Sequence, residues 1–87
     1  MAKTFNLEII TPEKLFFRGE VEMVVVSTLD GKEGFLANHA WACKLLAPGE
    51  VRIKEDGSSD FKIGTLSGGY IDVKEKTVIF ADTAEWA

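Results

Sequence analysis

The run TFNLEII, residues 4–10, alternates without a break: Phe5, Leu7 and Ile9 fall on one side, Thr4, Asn6 and Glu8 on the other. A period of two turns successive side chains to opposite faces of an extended chain, so this is a strand with one buried face. The same period recurs along the sequence. EVEMVVV (20–26) groups Val21, Met23 and Val25, and EVRIKE (50–55) opposes Val51 and Ile53 to Arg52 and Lys54. YIDVKEK (70–76) sets Ile71 and Val73 against Asp72 and Lys74, and TVIFAD (77–82) aligns Val78 with Phe80. β-Branched and aromatic residues dominate these runs, which suits a pleated, half-buried surface.

Turn chemistry separates the runs. Thr11-Pro12, Asp30-Gly31, Pro48-Gly49, Asp56-Gly57 and Gly68-Gly69 punctuate the chain. EDGSSD (55–60) reads as a hairpin connection between 50–54 and 61–66, and KEKT (74–77) closes another. No segment carries a sustained helical stripe; residues 40–46 allow one helical turn, yet Trp41, Cys43 and Leu45 alternate equally well as strand. The expectation is all-β: a flattened antiparallel β-sandwich of about eight to ten short strands, one domain over residues 1–87.

Composition narrows the function classes. Apolar residues at 46% and charged ones at 28% describe a globular domain and not a disordered tail. The formal charge is −4 and the basic residues are scattered, so the clustered footprint that phosphate backbones require is missing and nucleic acid is not an expected partner. MVVV (23–26) is far short of a membrane span, and no charged-then-apolar leader opens the chain. A soluble protein is expected.

The stretch DGKEGFLANHAWACKLL (30–46) holds the one histidine and the one cysteine. A zinc site needs three or four ligands, and His39 with Cys43 supplies two. A Cys/His nucleophilic pair needs reach, and a spacing of four gives that only on a helix. His39 is therefore expected to pin a loop and Cys43 to pack as a small hydrophobe. GTLSGGY (64–70) is not a dinucleotide or phosphate-loop pattern and precedes a strand, so it reads as a tight turn. Glu20 with Glu22, and Glu13 with Glu33, sit among polar neighbours, where no carboxyl is pushed toward acid–base work. No catalytic residue, metal or cofactor is expected.

Three segments taken in order carry a resemblance: FNLEIITPEKLFFRGEVEMVVVSTLDGKEGFLANHA, then LAPGEVRI, then LSGGYIDVKEKTVIFADTAE. Together they resemble the N-terminal domain of the ε subunit of F-type rotary ATP synthases, over residues 4–85. The resemblance implies a β-sandwich of about ten strands, no enzymatic activity of its own, and a place in the central stalk. There the domain binds the γ subunit and rests on the membrane c-ring, coupling proton- or sodium-driven rotation to ATP synthesis. It also implies a peripheral position on the cytoplasmic side of an energy-transducing membrane, as in bacteria. Matched residue by residue, Thr11, His39 and Lys44 fall at γ-facing positions and Lys32 at the ring-facing one, with Glu33 beside it able to take that role. Trp41 stands where the family has proline and enlarges the apolar contact with γ. Ala37-Asn38 replaces Pro-Gly before the histidine, and asparagine tolerates the left-handed conformation that turn needs.

The sequence ends at Trp86-Ala87, before the two-helix hairpin of full-length ε subunits, so neither nucleotide binding nor hairpin-mediated inhibition is expected of it. Ile10, Val24, Val26, Leu66, Tyr70 and Ile79 lie opposite the strand faces read above; they either offer γ an outward apolar patch or, some of them, cap the edges of the sandwich. The alternative is a free-standing binding sandwich, in which Trp41, Tyr70 and Trp86 share one exposed face and stack on a ligand.

Overall fold

The computed structural model describes residues 3–87 and contains nine strands. They are β1 (Phe5–Ile10), β2 (Leu15–Thr28), β3 (Gly31–Leu36), β4 (Ala42–Leu46), β5 (Gly49–Glu55), β6 (Lys62–Leu66), β7 (Gly69–Val73), β8 (Lys76–Ala81) and β9 (Ala84–Trp86). Hairpins fall where the turn residues put them, between β5 and β6 and between β7 and β8. One layer runs β4-β7-β8-β1 and ends on the first half of β2; the other runs β3, the second half of β2, β5, β6 and β9. All pairings are antiparallel except one: β1 lies parallel to β8, a departure from the fully antiparallel expectation. β8 reaches the edge of β1 from the hairpin with β7, and not from a turn joined to β1 itself, so it can run in the same direction.

β2 is fourteen residues long and serves both layers. Two irregularities let it do so. Opposite the Ile9–Ile10 step, Phe16 is an extra residue on β2; Glu22 is extra between Val21 and Met23 against β5. Each such bulge bends the strand and shifts the alternation by one residue. Before Glu22 the inward residues are Phe17 and Val21; after it they are Val24 and Val26. The grouping of Val21 with Met23 and Val25 is therefore corrected, since Met23 and Val25 turn outward.

Leu7, Ile9, Val21, Val24, Phe35, Val51, Ile53, Ile71 and Ile79 are fully buried between the layers. In β8 the phase is also the reverse of the expectation. Thr77, Ile79 and Ala81 face the core, while Val78 and Phe80 lie on the outer side. Both faces of β8 are apolar, so its alternation alone carries no inside or outside.

Gly69, at φ +130°, starts β7 beside the backbone of Phe80, where even a methyl group would collide with the carbonyl. Tight layering at this corner requires glycine.

Candidate interaction site

The outer face of the first layer carries an apolar row one residue wide and five strands long. Leu45 of β4 is opposite Tyr70 of β7, Tyr70 opposite Phe80 of β8, Phe80 opposite Ile10 of β1, and Ile10 opposite Leu15 of β2. Cross-strand partners share a face, so these side chains stand side by side. Tyr70 and Phe80 stack, with ring centroids 5.0 Å apart and an interplanar angle of 26°. Leu45 is 67% exposed, Leu15 45% and Tyr70 40%. A groove of about 320 Å³ lies along the row, bounded by Ile10, Thr11, Pro12, Tyr70 and Phe80. Contiguous apolar surface of this kind marks an interaction site, whereas single exposed leucines do not.

Two of the six residues expected in the patch lie on this face. Ile10 and Tyr70 belong to it; Val24, Val26, Leu66 and Ile79 are buried in the core. Leu45, Phe80 and Leu15 complete the row and were not expected in the patch; alternation groups Phe80 with Val78 on the core face. Their signal was present in strands apolar on both faces, where a residue pointing away from the core still lacks a polar side chain.

Beside the apolar row runs a band of charge. Glu8, only 6% exposed although outward on β1, accepts from Arg18 Nε at 2.9 Å and lies 2.8 Å from Lys76 Nζ. Hydrogen bonding from Lys76 chiefly, then from Arg18, holds its carboxyl below the usual carboxylate range against the opposing pull of desolvation.

A second cluster sits where the rims of the two layers approach. Lys44 Nζ donates to both oxygens of Glu33 at 2.7 Å, and His39 Nε2 is 4.0 Å from Glu33 Oε2. The imidazole packs on Phe35, centroids 4.6 Å apart, and its Nδ1 lies 2.7 Å from the carbonyl oxygen of Ala40. A carbonyl only accepts, so Nδ1 carries the proton and donates. Asn38 adopts φ 68°, the left-handed turn expected of the Ala37-Asn38 replacement. His39 pins its loop as read from the sequence.

The remaining candidates separate. Thr11 is buried, and its Oγ1 and backbone bond Lys14 across the turn after β1, at the end of the groove. Trp41 is 67% exposed. Lys32 is the second residue of β3, opposite Ser27, with Nζ 3.5 Å from Glu50, and Leu29 in the preceding turn is 75% exposed. The structure therefore joins His39 and Lys44 to Glu33, and leaves Lys32 with a different partner. Cys43 is exposed on the outer face and is not the packed hydrophobe expected of it, because Ala42, Lys44 and Leu46 take the inward phase of β4. Among the described residues no three His, Cys, Asp or Glu side chains converge as metal ligands would.

The described surface thus combines an apolar outer row on the first layer with a polar cluster at the rim. The chain belongs to the ATP synthase delta/epsilon chain β-sandwich domain family, whose model matches residues 4–87. It is 44% identical over 87 residues to the ATP synthase epsilon chain of Alkaliphilus oremlandii, covering 99% of this chain and 63% of that one. It is also 44% identical to the epsilon chain of Clostridium novyi, covering 66% of it. The chain thus spans about two-thirds of the length of these relatives. The same fold occurs in the Euglena gracilis mitochondrial ATP synthase OSCP/F1/c-ring structure, with a TM-score of 0.88 at 22% identity over 95% of this chain and 53% of that one. It recurs in the Tetrahymena thermophila mitochondrial ATP synthase central stalk/c-ring structure, with a TM-score of 0.78 at 16% identity over 97% of this chain and 67% of that one.

Proposed function

We propose that this chain is a non-catalytic element of the central stalk of a rotary ATP synthase. It docks on the γ subunit through the outer face of β4, β7, β8 and β1, with Thr11 at the end of the groove and His39, Trp41 and Lys44 along the β4 side. The turn at residues 29–30 rests on the c-ring, with Lys32 and then Glu33 just past it on β3. In that position the chain links ring rotation to the catalytic subunits by rigid contact, on the cytoplasmic side of the energy-transducing membrane. It reaches that membrane only through the complex, and takes no nucleotide. Residues 1–87 act as one domain in this role.

The observation that carries this reading is the row Leu45-Tyr70-Phe80-Ile10, apolar and in register across four strands. A partner of comparable extent covers it at the cost of few polar groups, and aromatic residues near the centre of such contacts dominate their energy. The rival stacking platform finds less support: Tyr70 is paired with Phe80, and Trp86 with Phe16 and Phe17.

Binding of this chain to the matching γ subunit is the test. One-to-one binding is expected, weakened at least tenfold by Tyr70→Asp, whereas Thr65→Lys on the other layer leaves it unchanged. A folded chain whose affinity ignores Tyr70→Asp, or that does not bind γ, overturns the assignment.

A further inference from the structure

The backbone explains why Glu33 and Lys44 meet. Glu33 is opposite Val26, and Lys44 is opposite Ile71, both of which are buried in the core. Cross-strand partners share a face, so both charged residues project toward the inner side of their own layer. β3 and β4 are not bonded to one another; β3 pairs with β2, and β4 with β7 and with β2 at one residue. Two inward charges on opposed rims thus find each other across the mouth of the sandwich. The same carboxylate is 4.0 Å from His39 Nε2, the nitrogen left facing it once Nδ1 donates to Ala40.

We propose that Glu33 is a positioning residue for the edge that meets γ. It clasps the two rims through Lys44 and sets the stance of the His39 loop, so that Lys44 and His39 are presented to the partner in one fixed arrangement. The interface role rests on the stalk reading above; the clasp itself does not.

Three variants test it: Glu33→Gln, Lys44→Met and the exchanged pair Glu33→Lys with Lys44→Glu. In the free chain, the His39 amide, which bonds the Leu36 carbonyl at 3.2 Å, reports the loop by hydrogen exchange. Either single variant is expected to speed its exchange severalfold and to weaken γ binding about two- to fivefold, the range of a partly exposed ion pair. The exchanged pair is expected to recover most of the His39 exchange protection, which a residue needed only for general stability does not do, but not γ binding, because it shows the partner a carboxylate at position 44 in place of the ammonium. If Glu33→Gln leaves His39 exchange unchanged, or if the exchanged pair protects the His39 amide no better than the single variants, the clasp is wrong. If the wild-type chain binds γ and Glu33→Gln binds it equally well, the interface role falls while the stalk reading stands. If the wild-type chain ignores γ, the stalk reading and the interface role fall together, and exchange alone decides the clasp.

Discussion

The indole of Trp86 stacks on the ring of Phe16, centroids 4.3 Å apart at an interplanar angle of 25°. Phe16 is the extra residue of the first bulge in β2, so the irregularity turns its ring out of the strand phase and toward β9. Phe17 meets the same indole edge-on at 6.1 Å, and Lys62 lies 5.0 Å over it. The last strand, bonded through its backbone to β6, is thereby tied by aromatic contact to β2 as well.

Trp86→Ala should therefore lower the unfolding free energy by about 2 kcal/mol, below the range for a fully buried aromatic because Trp86 is 41% exposed. In a cycle with Phe16→Ala the two losses should overlap by about 1 kcal/mol. Urea denaturation of the four proteins measures both. Strictly additive losses would show that the stack contributes nothing beyond burial.

Gly69 and Gly31 both adopt positive φ, at 130° and 116°, but differ in what surrounds them. A Cβ at Gly69 collides with the Phe80 carbonyl, and one at Gly31 meets nothing within 4 Å. Gly69→Ala should cost more than about 3 kcal/mol, enough to threaten folding, whereas Gly31→Ala should cost about 1–2 kcal/mol of backbone strain alone. Thermal melts rank them directly.

Acid should unfold this protein partly through Glu8. Its folded carboxyl sits below the ordinary value, first because Lys76 and then because Arg18 bond to it. A lowered folded value contributes stability that is fully present above the ordinary range of about 4.3 and is lost as pH falls through the folded value. Glu8→Gln should be less stable at pH 7 and should show a shallower loss on acidification. Glu50, lowered chiefly by Arg52, adds to the same limb, but its side chain is 33% exposed and salt screens it more. Identical acid limbs in wild type and Glu8→Gln would refute the assignment.

Asn38 occupies φ 68°, where a β-branched residue is strained and glycine is not. Asn38→Gly should leave stability within about 0.5 kcal/mol of wild type, and Asn38→Val should cost about 1–2 kcal/mol. Chemical shifts of His39 should move in the valine variant and stay nearly fixed in the glycine variant.

The strands and hairpins were legible because turn residues and period-two runs agree, as at EDGSSD and in Val51 and Ile53. The phase of Val24, Val26, Ile79 and Phe80 was not. In MVVV and TVIFA both faces are apolar, so only the bulge at Glu22 and the pairing of β8 decide which side is inside. The pairing of Glu33 with Lys44 was illegible for another reason. They belong to opposed layers, and no local rule joins two rims. The pinning of its own loop by His39 was legible because a loop histidine satisfied by its neighbouring carbonyl needs no distant partner.

β2 has a consequence that concerns load rather than affinity. Two layers held only by side-chain packing can slide past one another, since dispersion contacts resist shear weakly. Here one continuous peptide passes through both, from Leu15 at the end of the apolar row to Thr28 beside the turn at residues 29–30. Force applied between those two ends is borne in series by covalent bonds, whose angles deform only at steep energetic cost. The sandwich then behaves like two boards with a strap threaded through them, stiff along the strap and yielding mainly at the bends at Phe16 and Glu22.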